Sequence, residues 1–165
     1  MIVFHASNNK TEEFQIKNVP VTKYGVGWTF STDKAAISRY GKFIYKLSID
    51  PSGMLKTDVN GWIDEYKEKV TDLIRGGQTD RLFKFGKLAI NATEGYINEL
   101  QKLPLYRALQ EIRANLYSGD EQQWAIRTSE IVGISSIAVG NTQSMVLCWD
   151  PSKIESYRLV EISQR

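Results

Sequence analysis

Alternation of apolar and polar residues predicts strands near both ends of the chain. In "KFIYKLSI" at 42–49, Phe43, Tyr45 and Leu47 alternate with lysine and serine, the period of two expected of a strand with one buried face. Short apolar runs predict strands at 2–5 and 28–30, and "ISSIAV" and "SMVLCW" predict two more before a final turn and strand in "DPSKIESYRLVEI". The polar stretch at 6–25 is predicted to be an irregular loop.

Apolar residues at helical spacing dominate the middle of the chain, about 59–117. Breaks at Gly76-Gly77 and Pro104 divide this helical block, whose periodic positions are Ile63, Tyr66, Val70, Leu73, Ile74, Leu105, Leu109, Ile112 and Leu116. A further helix is predicted from Asp120 to Gly133, with Trp124, Ile126, Ile131 and Val132 among its apolar positions, and a short one follows the strand at 28–30 and ends at Gly41. Strands, then helices, then strands predict an α+β domain with a mixed or antiparallel sheet.

Composition narrows the class of protein. The 165 residues, 42% of them hydrophobic, suffice for one domain with its own core, and 21 basic against 19 acidic residues give a net charge of +2, too small for a strong cationic field. The start of the chain lacks the features of a secretory signal, and no apolar run approaches the roughly 18 residues that span a bilayer. We therefore expect a soluble cytoplasmic protein with no membrane partner. The single cysteine, Cys148, lies in an apolar run and predicts core filling rather than a disulfide or a metal site.

Three segments in order, "VFHAS", "GVGWTFSTDKAAISRYG" and "GISSIAVGNTQSMVLCWDPSKIES", resemble the ADP-ribosyltransferase fold in its diphtheria-toxin and poly(ADP-ribose) polymerase-like branch. More loosely, the arrangement is similar to small phage or bacterial ADP-ribosyltransferase effectors, including anti-CRISPR proteins of this type. The resemblance implies a split mixed or antiparallel sheet with a helical insertion. It also implies an enzyme that takes NAD as substrate and transfers ADP-ribose to a macromolecular acceptor, protein ahead of nucleic acid, in the host cytoplasm if the gene is carried by a phage.

The resemblance assigns the cofactor-binding residues by motif. The first motif, a strand ending in His-Gly, falls on His5-Ala6-Ser7, and the second, a Gly-x-Gly strand followed by a helical tyrosine, falls on Gly25, Gly27, Trp28, Thr29, Phe30 and Tyr40. Ser31 is a further cofactor-binding candidate, because the Ser31-Thr32 pair resembles the Ser-Thr-Ser motif of the arginine-specific branch. By this alignment His5 bonds a ribose hydroxyl, the backbone of Ala6 meets the nicotinamide carboxamide and Tyr40 stacks on the ring, while the glycines allow close approach of the ligand.

Structural roles are the alternative for each of these residues. His5 and Tyr40 could be structural or core residues, Gly25 and Gly27 could shape a turn, and Trp28 is expected to pack or to form the pocket wall. Ser31 or Thr32 is also predicted to cap the helix that follows.

Two departures from the family pattern affect catalysis. Thr29 replaces the tyrosine of the second motif, and "GNTQSM" supplies Asn141, Thr142 and Gln143 where the family has its catalytic glutamate. The candidate catalytic residues are therefore His5, Thr29, Asn141 and Gln143. Glu121 or Glu130 is a possible substitute carboxylate, against the alternative of a solvated helix face.

Loss of a carboxylate removes stabilisation of the oxocarbenium-like transition state, so the alternative function is an impaired relative that binds NAD, ADP-ribose or a protein without turnover. The RNA 2′-phosphotransferase branch of the fold is a weaker option, since it requires further basic and histidine residues. In the insertion, "LIRGGQTDRLFKFGK" carries Arg75, Arg81, Lys84 and Lys87 with Phe83 and Phe85, which could contact an acidic partner or nucleic acid, or form a solvated face over core phenylalanines.

Overall fold

A computed structural model describes residues 1–56, 68, 93–116, 120–129, 133, 136–139 and 144–162. Seven of the described strands form one sheet. In chain order they are β1 (Ile2–Ser7), β4 (Trp28–Ser31), β5 (Phe43–Ile49), β6 (Met54–Lys56), β7 (Ser136–Val139), β8 (Met145–Cys148) and β9 (Ile154–Ile162). Across the sheet their order is β6-β7-β8-β4-β1-β5-β9. The β6–β7 pair is parallel and the other pairs are antiparallel. The predicted α+β class with a mixed, mostly antiparallel sheet is therefore confirmed.

A small hairpin interrupts the segment that was predicted to be an irregular loop. Its strands are β2 (Val21–Thr22) and β3 (Gly25–Val26), and a 3-10 turn at Ile16–Asn18 precedes them. The Thr22 hydroxyl donates to the Gly25 carbonyl at 3.0 Å and accepts the Tyr24 N–H at 3.2 Å, which fixes the turn between the two strands. This hairpin and strand β6 were not predicted, since runs of two or three residues are too short to show a period.

Four helices are described, namely α1 (Lys34–Ser38), α2 (Thr93–Gln101), α3 (Leu105–Leu116) and α4 (Glu121–Arg127). Helix α3 begins directly after Pro104, which confirms the helix predicted there. Asp120 caps α4 by accepting the Gln123 N–H. The predicted cap of α1 was wrong, because Asp33 rather than Ser31 or Thr32 accepts the Ala35 N–H at 2.8 Å. Several predicted residues lie outside the described part of the chain, namely Ile63, Tyr66, Val70, Leu73 and Ile74, the basic stretch at 73–87, and Ile131 and Val132.

The main hydrophobic core joins residues of α3 and α4 to residues of the strands. Trp124 of α4 packs edge-on against Trp149 with ring centroids 5.2 Å apart, and Leu105 and Ile112 of α3 are fully buried in the same cluster. Cys148 is buried in this cluster too, which confirms its predicted role as a core residue. In the described part of the chain, no helix is long and apolar enough to cross a membrane.

Strands β1 and β4 separate near the centre of the sheet. β1 is paired with β5 along its whole length, from Ile2↔Ser48 to Ser7↔Phe43, whereas it is paired with β4 only at Phe4↔Ser31. If that antiparallel register continued, Ala6 would face Thr29. The end of β1 and the beginning of β4 instead leave a gap between them, and this gap positions the candidate site.

Candidate functional site

A cavity of about 350 Å³ opens where β1 and β4 separate. One wall is the end of β1, with His5, Ala6 and Ser7, and a second is the start of β4, with Trp28 and Thr29. The remaining described lining residues come from four other segments and are Asn9, Glu12, Pro20, Thr22, Lys23, Tyr24, Ile37, Tyr40 and Met145. Six of the predicted site residues (His5, Ala6, Ser7, Trp28, Thr29 and Tyr40) therefore line one cavity.

His5 bridges the gap between the two strands with its side chain. Its Nδ1 lies 3.0 Å from the Thr29 carbonyl oxygen, and because a carbonyl only accepts, Nδ1 carries the proton of this hydrogen bond. The imidazole ring meets Phe14 and Phe30 edge-on, with centroids 5.5 and 5.7 Å away. The partly buried imidazole thus takes the place of the missing ladder hydrogen bonds, and its orientation is fixed.

Burial lowers the pKa of His5 below its usual 6.5, although the hydrogen bond to Thr29 and the negative charge of Glu12 act in the opposite direction. The ring is therefore neutral at pH 7. With Nδ1 protonated, the neutral tautomer presents Nε2 as a hydrogen-bond acceptor. This is the state needed to accept a hydrogen bond from a ribose hydroxyl.

Tyr40 lies at the rim of the cavity, in the turn after α1, and its side chain is 47% exposed. The alternative that Tyr40 is a core residue is therefore wrong. The Lys23 ammonium lies 5.4 Å from the Tyr40 ring centroid and 4.8 Å from that of Tyr24. A hydrogen bond to Tyr24, with the proximity of both tyrosines, raises the pKa of Lys23. The rim thus combines an exposed aromatic ring with a permanent positive charge.

Glu12 forms part of the wall that follows β1, and it is half-buried. Its Oε2 accepts a short hydrogen bond from the Ser7 hydroxyl, which itself accepts the Asn9 N–H at 3.0 Å. The hydroxyl of Tyr45 accepts the Glu12 N–H at 3.3 Å. Sequence reasoning missed Glu12, since the loop containing it shows no periodicity and only the fold brings it back to β1.

The glycines of the second motif do not line this cavity. Gly25 and Gly27 have φ of +125° and +132°, which disfavour any side chain. A Cβ on Gly27 would lie 2.7 Å from the Cys148 carbonyl oxygen, and one on Gly25 would lie 3.1 Å from the Gln110 side chain. These glycines allow the hairpin to pack closely against β8 and α3. The structure gives these glycines a packing role, and their predicted close approach to a ligand stays a prediction.

Two further predicted residues also lie outside the cavity wall. Phe30 and Ser31 are fully buried, and the Ser31 hydroxyl donates to the Ser144 carbonyl at 3.2 Å and accepts the Asp33 N–H. Trp28 and Thr29 do line the cavity, with Trp28 packed against Phe14, as expected of a wall residue.

Of the candidate carboxylates and amides, Glu121 lies among the described residues. Asn141, Gln143 and Glu130 lie outside the described residues. Glu121 is on α4, paired with Arg113 at 3.6 Å, and is not among the residues that line the cavity. On the β8 side the described wall residue is Met145.

Comparison with known proteins gives one weak likeness. A crystal structure of an anti-CRISPR protein aligns with a TM-score of 0.47 and 15% sequence identity, over 97% of this chain and 95% of the other. No protein-family model and no curated protein matches the chain. A likeness at this level assigns no family, so the site must be interpreted from its own residues.

Proposed function

We propose that this protein is an ADP-ribosyltransferase that transfers ADP-ribose from NAD to a macromolecular acceptor. The observation that carries the proposal is that His5, Thr29 and Tyr40, from three segments of the sequence, line one cavity at the gap between β1 and β4. A protein acceptor is favoured over nucleic acid, because a net charge of +2 gives no strong attraction to phosphate backbones.

The size of the cavity fits part of a dinucleotide. Ligand pockets commonly measure roughly 300–1,000 Å³, and about 350 Å³ suits the nicotinamide and its ribose rather than the whole of NAD. The pyrophosphate and adenosine would then extend over the rim. At the rim the Lys23 ammonium offers a positive charge to the pyrophosphate. The exposed Tyr40 ring, which also lines the cavity, offers a stacking surface to the nicotinamide ring.

The chemistry expected of the site follows from the bond that breaks. The C1′–N bond of NAD breaks with its electron pair leaving on the nicotinamide nitrogen, which leaves positive charge on the ribose. Neutral His5 accepts a hydrogen bond from a ribose hydroxyl through Nε2, and its bond to Thr29 holds the ring in position. Trp28 and Ile37 are buried apolar residues of the wall and exclude water from the leaving group.

The test is a direct assay for both products. The purified protein is incubated with labelled NAD and a host lysate, and we expect free nicotinamide and a labelled macromolecule. Calorimetry should give NAD binding that weakens at least 10-fold in Tyr40→Ala, whereas Tyr40→Phe, which keeps the ring, should stay within about 3-fold. An absence of NAD binding, or equal affinity of the two variants, would contradict the proposed pocket.

A second candidate is an NAD-binding protein without turnover. It is favoured by the third motif, in which Asn141 and Gln143 provide amides where the family has a carboxylate. The same calorimetry would then show NAD binding, and the product assay would show no release of nicotinamide. Gln143→Glu or Asn141→Asp would create activity only in that case, which separates this candidate from the first.

A further inference from the structure

Among the described residues, Glu12 is the carboxylate that lines the cavity. Among the described residues that line it, the charged side chains are Glu12 and Lys23, and Lys23 lies at the rim beside Tyr24 and Tyr40. Glu12 instead lies on the segment beyond β1, next to Ser7 and close enough to His5 for its charge to act on the imidazole. The cavity therefore contains an anion, although the third motif supplies none.

Contacts on both the side chain and the backbone hold Glu12. The Ser7 hydroxyl donates to Oε2, which orients the carboxylate. Tyr45 of β5 places its hydroxyl between the Glu12 N–H and the carbonyl oxygens of Asn9 and Lys10. Two residues further on, buried Phe14 anchors the segment against the sheet. A charged group fixed in advance in this way stabilises a transition state without paying for reorganisation when the reaction occurs.

The hydrogen bond from Ser7 leaves capacity on the carboxylate for a ligand. An ionised carboxylate has about four acceptor positions on its two oxygens, so one donor does not saturate it. A ribose that occupies the cavity beside His5 has hydroxyl groups as donors. The half-buried position also strengthens electrostatic interactions relative to bulk water.

We infer that Glu12 provides the catalytic carboxylate of this site, in place of the glutamate expected in the third motif; the inference rests on the proposed function. In the ground state Glu12 accepts a hydrogen bond from a hydroxyl of the nicotinamide ribose. As the C1′–N bond breaks and nicotinamide leaves with the electron pair, the carboxylate balances the charge that develops at C1′. When an oxygen or nitrogen atom of the acceptor forms its new bond to C1′, the proton on that atom passes to Glu12 and then to water.

The test compares Glu12→Gln with Glu13→Gln. Glu13 is the neighbouring, exposed carboxylate and lies outside the cavity wall, so its variant is a control for net charge. We expect Glu12→Gln to release nicotinamide on the order of 10²-fold more slowly than the wild type, with the NAD dissociation constant within about 3-fold. Glu13→Gln should match the wild type in both, and Glu12→Asp should recover part of the rate.

A second variant covers the case in which Glu12→Gln does not fold. Tyr45→Phe removes the hydroxyl that tethers the loop from outside the cavity wall, and we expect at least a 10-fold slower release of nicotinamide. A Glu12→Gln rate within 3-fold of the wild type, or a Tyr45→Phe rate equal to the wild type, overturns the assignment of Glu12 while leaving the proposed function intact. A wild-type protein that releases no nicotinamide overturns both.

Discussion

Gly41 controls how closely the Tyr40 turn approaches the first strand. A Cβ built on Gly41 would lie 2.6 Å from the Ser7 nitrogen and 2.7 Å from its carbonyl carbon and oxygen. Ordinary contact begins near 3.4 Å, so alanine forces the two backbones apart by about 0.8 Å. These are main-chain atoms, which cannot relieve the clash by a change of rotamer.

The expected cost of Gly41→Ala follows from two opposing effects. Overpacking of this kind destabilises by about 1–3 kcal/mol. Gly41 is not among the glycines with positive φ, so alanine fits the backbone and gains about 0.4–1 kcal/mol from a less flexible unfolded chain. Because the Cβ would lie 2.6 Å from main-chain atoms, we take the upper part of the overpacking range, about 2–3 kcal/mol, and expect a net loss of about 1–2.6 kcal/mol, or about 2–10 °C in Tm for a chain of this size.

Gly95→Ala is the matched control. Gly95 is exposed in α2, and a Cβ there would meet nothing within 4 Å. Alanine in a helix is favoured over glycine by about 1 kcal/mol, so this variant should be stabilised by a similar amount. Urea unfolding of both variants measures the difference. If Gly41→Ala is as stable as the wild type, the close approach of Gly41 to Ser7 is not as the structure has it.

Activity should be more sensitive to Gly41→Ala than stability. Ser7 and Tyr40 both line the cavity, and the substitution moves the turn that carries Tyr40 away from β1. A misplacement of about 1 Å can reduce a rate by 10²-fold. At a temperature at which the variant remains folded, we expect weaker NAD binding and slower release of nicotinamide, whereas Gly95→Ala should retain both.

The remaining predictions concern titratable groups. Because burial lowers the pKa of His5, the unfolded chain binds a proton that the folded chain does not. The free energy of unfolding should therefore be at its full value above about pH 6.5 and fall below that pH by at most about 1.4 kcal/mol per pH unit. His5→Gln should remove this slope in urea unfolding at pH 7.5 and 5.5, and parallel curves for the two proteins would contradict the prediction. Hydrogen bonds from Ser52, assisted by Lys153 at 3.1 Å, lower the pKa of Asp50 to about 2. The contribution of Asp50 to the free energy of unfolding is therefore present above about pH 3.8 and is lost as the pH falls through about 2. Asp50→Asn should make stability less dependent on pH in this acid range, and an unchanged dependence would count against the pairing. Burial raises the pKa of Cys148 to about 12. A thiol reagent at pH 8 should therefore react with Cys148 only as fast as the protein unfolds. Rapid labelling of the native protein would contradict this prediction, because it would show that the thiol is accessible.

Regular elements could be predicted from the sequence because their signal is periodic. The β5 pattern of Phe43, Tyr45 and Leu47 and the α3 pattern of Leu105 and Ile112 match elements of the structure. The first helix was predicted to end at Gly41, and this bound was wrong. The helix ends at Ser38, and Gly41 is required by its close approach to Ser7 rather than by a left-handed cap.

The predicted residues that line the cavity belong to β1, to β4 and to the turn after α1. His5 ends one predicted strand and Thr29 lies within another, and the structure brings the His5 ring within hydrogen-bonding distance of the Thr29 carbonyl. The hairpin residues Lys23 and Tyr24 carry no motif, so nothing in the sequence indicates that they reach the cavity. Their placement depends on backbone packing of Gly27 against Cys148, a contact between positions far apart in the chain.

A motif search places a catalytic carboxylate by its position in the chain, but the transition state responds only to its position in space. The two sides of this cavity differ: Met145 lines it from β8 with an apolar thioether, whereas Glu12 lines it from the segment after β1. An anion on either side could balance charge at a ribose held between them, provided that it is fixed and partly shielded from water. Ser7 and Tyr45 meet that requirement for Glu12. If Glu12 acts as inferred, catalysis does not require a glutamate in "GNTQSM".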